Sequence, residues 1–303
     1  MDYGEISKWI KCIQVINQRN ADVDVVNPTP LELIGKGRQG AVFKVNDDVC
    51  VKVYGDPDDC EREHHALSLG QKTSLLPRIY GKGPNYIMME MVKGITVREY
   101  LQSQPLTREL SLKLIEMLVT FKKIGYQRID HHKRQIYIQP DGSLKVIDVG
   151  RTVWRNYTYP YPRKLLTSLG NDCKETFLAH VKEFAPDLYK EWLHYMHMEN
   201  LARNIYHRMA NTKLPNPSSI QQITSPLLTT QNEKTYLKKL EDLVRKVYKE
   251  EWIKNLYVQG LDPEAVKAEI KELLKENSSS DNTKKTTGKT KKSNKSKWNK
   301  DSW

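Results

Sequence analysis

Arg128–Gln135 reads RIDHHKRQ, and it holds several groups able to do chemistry within eight positions. Asp130 can accept a proton, His131 and His132 are adjacent imidazoles, and Gln135 brings an amide oxygen five residues after the aspartate. Two adjacent histidines point to opposite faces of an extended chain, which argues against a shared metal. A second acid, Asp148, follows an apolar run in Ile147-Asp148-Val149-Gly150. Two acids flanking a short hairpin suit phosphoryl transfer, where one orients an acceptor hydroxyl and the other holds a divalent cation. That chemistry is mostly positioning and charge neutralisation.

Two further stretches bear on phosphates. Gly35-Lys36-Gly37-Arg38-Gln39-Gly40-Ala41-Val42 fits G-x-G-x-x-G-x-V. Ala41–Val45 continues as strand rather than opening a helix, so the pattern reads as a strand-turn-strand whose amides can approach phosphates, not as a dinucleotide fold. The plain alternative is a tight hairpin without a ligand. Lys52 sits between valines in Val49-Cys50-Val51-Lys52-Val53, and an ammonium on a buried strand face needs a partner. Glu63 on the next predicted helix is the expected partner, with Glu61 as the alternative.

Elements that would position these residues are legible from periodicity. Ile6, Trp9, Ile10, Ile13 and Ile16 predict an amphipathic helix over 5–19, within an N-terminal segment 1–27. Short Val- and Leu-rich runs between 31 and 54, and again between 77 and 92, predict strands, with a helix over CEREHHALSLG ending at Gly70. Leu110, Leu114, Met117 and Leu118 share one face of a helix that Thr107 caps. IYIQPDGSLKVIDV predicts a hairpin around Pro140-Asp141-Gly142. Helix is predicted over 174–212, a linker over 214–232, and two helices over 233–258 and 263–276, the last opened by Asp262 and Pro263.

The order and spacing of these motifs resemble the protein-kinase fold family. That resemblance implies an α+β, two-lobed fold: an antiparallel β lobe with one helix over 28–93 and a mainly helical lobe over 94–213. It implies ATP and Mg2+ as cofactors. Gly35, Lys36, Gly37, Gly40 and Val42 would cover the phosphates, with Lys52 holding them and Glu63 fixing Lys52. Asp130 would orient the acceptor, while Gln135 and Asp148 would hold magnesium. Cys50 and Tyr137 would roof and floor the adenine, beside a hinge at Met88-Met89-Glu90-Met91 with Met89 at the back of the pocket.

Three departures shape the functional reading. The family's A-P-E is absent after Asp148-Val149-Gly150, which resembles compact atypical bacterial-type kinases of the RIO kind. Gln135 replaces the usual Asn, and its side chain is longer by one bond, roughly 1.5 Å. His132, two residues after Asp130, resembles aminoglycoside-type small-molecule kinases. The expected function is transfer to Ser or Thr of a protein, including itself. The alternatives are a nucleotide-binding pseudokinase or a small-molecule phosphotransferase.

Bulk properties bound the rest. The chain has 303 residues, 38% apolar and 28% charged, with no run resembling a transmembrane helix or secretory signal. Its four scattered cysteines argue against a disulfide framework and fit a reducing, cytoplasmic setting. Of the net charge of +12, half sits in 277–303, where eight lysines face two aspartates. Such a tail is expected to stay disordered, with contact to nucleic acid or an anionic membrane surface as the functional alternative, Trp298 and Trp303 included. Tyr157–Pro162 interleaves tyrosine and proline, a stiff segment expected to pack its rings on the helical part.

Overall fold

A computed structural model describes residues 3–129, 131–153, 161–209, 233–266 and 268. The linker predicted over 214–232, the tail 277–303 and most of Tyr157–Pro162 lie outside the described residues, as do Asp130 and all but the start of the helix predicted over 263–276. Two compact units divide the chain, Met1–Asn200 and Leu201–Trp303.

The first unit is mixed α and β. Helix α1 (Tyr3–Cys12) is followed by a hairpin of β1 (Gln14–Ile16) and β2 (Asp24–Val26). This corrects the helix expected over 5–19. After Cys12 the chain presents Ile13, Val15 and Ile16, β-branched residues that favour extended backbone, and Asn20 turns with φ 58°. Ile16, whose spacing prolonged the helical pattern, is exposed.

Next come β3 (Glu32–Lys36), β4 (Gly40–Lys44), β5 (Val49–Tyr54), α2 (Pro57–Leu69), β6 (Ile79–Lys82) and β7 (Tyr86–Glu90). The strands form one antiparallel sheet in the order β3-β4-β5-β7-β6. Side chains alternate across it. Ala41, Phe43, Val51, Val53 and Met88 face a core closed by Ile6, Ile10, Ile13 and Val23 of the N-terminal segment. The opposite face therefore carries Val42, Cys50, Lys52, Ile87 and Met89, and the register sets Lys52 between Val42 and Ile87. Helix α2 starts where Asp56 accepts the Asp58 amide with Pro57 at the first position, and it buries Cys60, Glu63, Ala66 and Leu67.

Downstream lie β8 (Ile95–Thr96), α3 (Val97–Ser103), α4 (Arg108–Lys123), β9 (Ile136–Ile138) and β10 (Leu144–Val146). Strands β10, β9 and β8 make a small antiparallel sheet. Thr107 caps α4 through the Leu110 amide, and Leu110, Leu114, Met117 and Leu118 are buried as their spacing requires. Helices α5 (Arg163–Leu169), α6 (Asn171–Phe184) and α7 (Pro186–Met209) follow, so the stretch read as one helical region breaks at Ala185-Pro186. Helix α5 carries no stripe long enough to predict from sequence. Trp192 of α7 and Phe177 of α6 are fully buried.

In the second unit, α8 (Glu233–Val258) buries Leu240, Val244 and Val247 along one stripe. Tyr248 meets the Tyr206 ring edge-on at 4.6 Å, and Arg203 pairs with Glu251 at 3.2 Å. Asp262 accepts the Glu264 amide at 3.0 Å and begins a helical turn at 263–266. No helix among the described residues is long and apolar enough to cross a membrane.

Candidate functional site

Strand β5 aims Lys52 away from the α1 core, and α2 brings Glu63 to meet it. Lys52 Nζ lies 2.6 Å from Glu63 Oε2 and 3.9 Å from Asp148 Oδ1. The Lys52 and Glu63 side chains are only 13% and 4% exposed. Burial alone would pull the Lys52 pKa down, but the Glu63 and Asp148 carboxylates outweigh it and hold it above its ordinary value. The ammonium also stands 5.1 Å above the Tyr54 ring. Glu61 points elsewhere. Residues two apart on a helix lie about 200° around it, and Glu61 pairs with Lys82 at the surface.

Asp148 sits with φ 60°, a backbone conformation uncommon for residues other than glycine. Val149 is fully buried behind it. Gly150 lets the chain pass close to α2, since a Cβ there would stand 3.1 Å from Glu63 Cβ. Burial would raise the Asp148 pKa, but the Lys52 ammonium and a hydrogen bond from Gln135 hold it below the usual carboxylate value.

Gln135 ends a single 3-10 turn over Lys133–Gln135. Its Nε2 donates to Asp148 Oδ2 at 2.8 Å, and its Oε1 accepts the His132 amide at 2.9 Å. Each partner dictates its atom, because a carboxylate only accepts and an amide N–H only donates. His132 Nδ1 in turn accepts the Arg134 amide at 3.1 Å, so this imidazole caps the turn. His131 is buried against the Phe121 ring, with 5.1 Å between centroids, and also lines the cavity described below, with neither ring nitrogen hydrogen-bonded. Burial holds its pKa down at about 4. Among the described residues, no group of three or more His, Cys, Asp or Glu side chains is placed to hold a metal ion.

The glycine-rich turn joins β3 to β4. Gly37 N donates to Gly40 O at 3.0 Å, and Gly37 O accepts the Val23 amide at 2.9 Å, so the N-terminal hairpin holds the turn from outside. Gly40 must lack a side chain, since a Cβ there would stand 2.4 Å from Val53 O. Gly35 and Gly37 have open space where a Cβ would go.

These parts surround a cavity of about 810 Å3. Of the residues singled out from sequence, Gly35, Lys36, Gly37, Gly40 and Val42 line it from the sheet, together with Lys52, Gln135 and Asp148. Glu63 reaches it only through Lys52. Cys50, Met89, Glu90, Met91 and Tyr137 are not in its lining. Cys50 is buried, its thiol raised to about 11 by burial, and its Sγ lies 3.7 Å from Glu90 O. The Glu90 carboxylate pairs with Lys145 at 2.7 Å, and the Met91 amide donates to Asp48 O at 2.8 Å. Met89 is buried opposite Cys50, and Tyr137 is half-buried in β9. The lining also includes Asp22, Arg128, Arg134, Arg151 and Lys164, which the motif pattern did not identify.

No protein-family model matches the chain. Over 146 residues it is 28% identical to a Bacillus subtilis (strain 168) protein named "Putative serine/threonine-protein kinase YrzF". That match covers 45% of this chain and 67% of the other. Over 138 residues it is 27% identical to an uncharacterized protein of Dictyostelium discoideum, covering 45% of this chain and 13% of that protein. Among solved structures, the bifunctional kinase-methyltransferase WbdD aligns over 44% of this chain and 33% of its own at 18% identity, with a TM-score of 0.31. The sequence similarity to the Bacillus protein supports a kinase-like fold.

Proposed function

We propose that this chain transfers the γ-phosphoryl group of ATP to Ser or Thr of a protein, itself included. The observation that carries the reading is the Lys52–Glu63 pair, with Asp148 3.9 Å from the same ammonium, opening on the cavity under the glycine-rich turn. In this reading the sheet and the helical part act as the two lobes of a compact, RIO-like kinase. The donor set of the cavity suits phosphates with magnesium: side-chain-free glycines, the Lys52 ammonium fixed by Glu63, and the Asp148 carboxylate. Bound ATP and Mg2+ supply the phosphoryl group and the charge neutralisation.

The chain's residues would do the remaining work. Lys52, kept charged and oriented by Glu63, would hold the α- and β-phosphates. Gly35, Gly37 and Gly40 would let the turn's backbone close over them. Asp148 would ligate magnesium, joined by Gln135 through the second lone pair of its Oε1. Asp130 would orient the acceptor hydroxyl and take its proton. Cys50 and Tyr137 would enclose the base beside Met89, Glu90 and Met91.

One observation favours a nucleotide-binding module without transfer. Gln135 spends its amide on Asp148 and its oxygen on His132. Incubating the full chain with magnesium and ATP, then mapping phosphosites by mass spectrometry, separates the readings. Phosphate on its own Ser or Thr, lost in Lys52→Met and Asp130→Asn, is expected. Nucleotide binding without transfer would leave the module reading, and absence of both would sink the two together.

A further inference from the structure

A lysine ends in a compact charge on a flexible stem, so one carboxylate contact leaves its ammonium free to swing. Lys52 has a second contact, of a different kind. Residues two apart on a strand share a face, which places Tyr54 on the Lys52 side of β5. Lys52 Nζ stands over the Tyr54 ring, 5.1 Å from its centroid. Tyr54 is fully buried, and its main chain is held on both sides. Its amide donates to Asn85 O at 2.7 Å, and Gly40 faces it across the β4–β5 pair. A Cβ on Gly40 would come within 3.3 Å of Tyr54 Cα, so the backbone carrying the ring is closely packed. The Tyr54 hydroxyl makes no hydrogen bond. Burial, and then the nearby Glu63 carboxylate, push its pKa well up and keep the phenol neutral. What Tyr54 offers Lys52 is therefore the face of its ring.

We infer that Tyr54 is a positioning residue: its ring is the floor that, together with Glu63, fixes where the Lys52 ammonium points. An aromatic face attracts a cation through its quadrupole, and more strongly where both are desolvated. A further carboxylate in this place would cancel the charge of the ammonium. The ring holds the cation and leaves its charge intact. Lys52 gives one N–H to Glu63, which leaves two for the oxygens of a phosphate. The positioning stands on the ring contact, and its use for phosphate rests on the phosphoryl-transfer reading.

The test compares three rings at position 54 of the full chain: the native tyrosine, Tyr54→Phe, and pentafluorophenylalanine, which nearly keeps the shape and reverses the polarity of the face. Hydrogen–deuterium exchange of β4–β5 is read without nucleotide, and affinities for ADP and for adenosine are read by calorimetry. The pentafluoro ring is expected to let β4–β5 exchange about five-fold faster than phenylalanine does, and the difference should vanish when both carry Lys52→Met. It should weaken ADP about five-fold and leave adenosine unchanged, while Tyr54→Phe stays within about two-fold of the native chain. Equal exchange with the two rings, or a difference that persists with Lys52→Met, would overturn the inference. So would an ADP affinity indifferent to the ring, or adenosine weakened as much as ADP, which is the mark of a merely structural role. Exchange that depends on ring and lysine together, in a chain that binds no ADP, would keep the positioning and remove the phosphoryl-transfer reading.

Discussion

Replacing Glu63 by Gln keeps the shape of the Lys52 site and removes one charge. Breaking a buried ion pair by losing one partner costs about 3–5 kcal/mol, because the remaining charge is stranded. Two features reduce that here. Asp148 Oδ1 remains 3.9 Å from the ammonium, and a Gln oxygen can still accept its hydrogen bond. We expect a loss of about 2 kcal/mol, which at a urea slope of about 2 kcal/mol per molar moves the midpoint down by about 1 M. Pulsed hydrogen–deuterium exchange of the β4–β5 segment across a urea series would read the transition of this sheet alone. Glu61→Gln is the internal control. Its pair with Lys82 is 65% and 30% exposed, so the shift should stay within about 0.2 M. The difference also has a pH signature. The folded-state pKa of Lys52 is raised, so its contribution is present below the unfolded value near 10.5 and is lost as pH rises through the folded one. The gap between wild type and Glu63→Gln should therefore narrow above that pH. A Glu63→Gln shift no larger than that of Glu61→Gln would refute the claim that the pair is buried and mutually dependent.

His131, held down at about 4 in the folded state against about 6.5 unfolded, contributes stability above pH 6.5 that is lost as pH falls toward 4. Between pH 7 and 5 that loss is about 2 kcal/mol, and thermal unfolding of His131→Leu should lack it. Gly37→Ala should leave the unfolding midpoint within about 0.5 kcal/mol, since nothing occupies the space, yet weaken nucleotide binding measured by calorimetry. Gly40→Ala, meeting the Val53 carbonyl, should destabilise by about 2 kcal/mol in the same unfolding assay. Gln135→Leu should cost about 1 kcal/mol, the lost bond to Asp148 being tempered by that side chain's 51% exposure. The Asp148 contribution is present above its unfolded pKa and lost as pH falls through the depressed folded one. An acid titration of Gln135→Leu should thus show that loss at higher pH than wild type.

Local signals were strongest where one residue type had one physical use. A lysine among valines on a strand demanded a carboxylate; the sequence favoured Glu63 and left Glu61 open, and the structure pairs Lys52 with Glu63 and Lys82 with Glu61. Thr107, the α4 stripe and the Pro140-Asp141-Gly142 turn each carried their own geometry. The N-terminal hairpin was hidden because Ile13 and Ile16 continue a helical spacing by coincidence, and an exposed Ile16 looks the same in sequence as a buried one. The basic lining of the cavity was hidden for another reason. Its arginines and lysine are spread from Arg128 to Lys164, and only the packing of α5 and the 3-10 turn gathers them. The double engagement of Gln135 depends on where Asp148 and the His132 amide lie in space, which no spacing encodes.

The cover over the sheet has a consequence for how the chain is made. Ile6, Ile10 and Ile13 close a core whose remaining members run from Val23 to Met88. During synthesis the helix face leaves the ribosome well before the strand carrying Met88. At about 5–20 residues per second, the apolar stripe waits several seconds without the surface it is built to cover. The turn held through Val23 and Gly37 waits with it, because β5 must arrive before Gly40 can settle against Val53. This stretch, synthesised before the strands it covers, therefore becomes native only after them, and a chaperone that binds apolar helices would meet it in that interval.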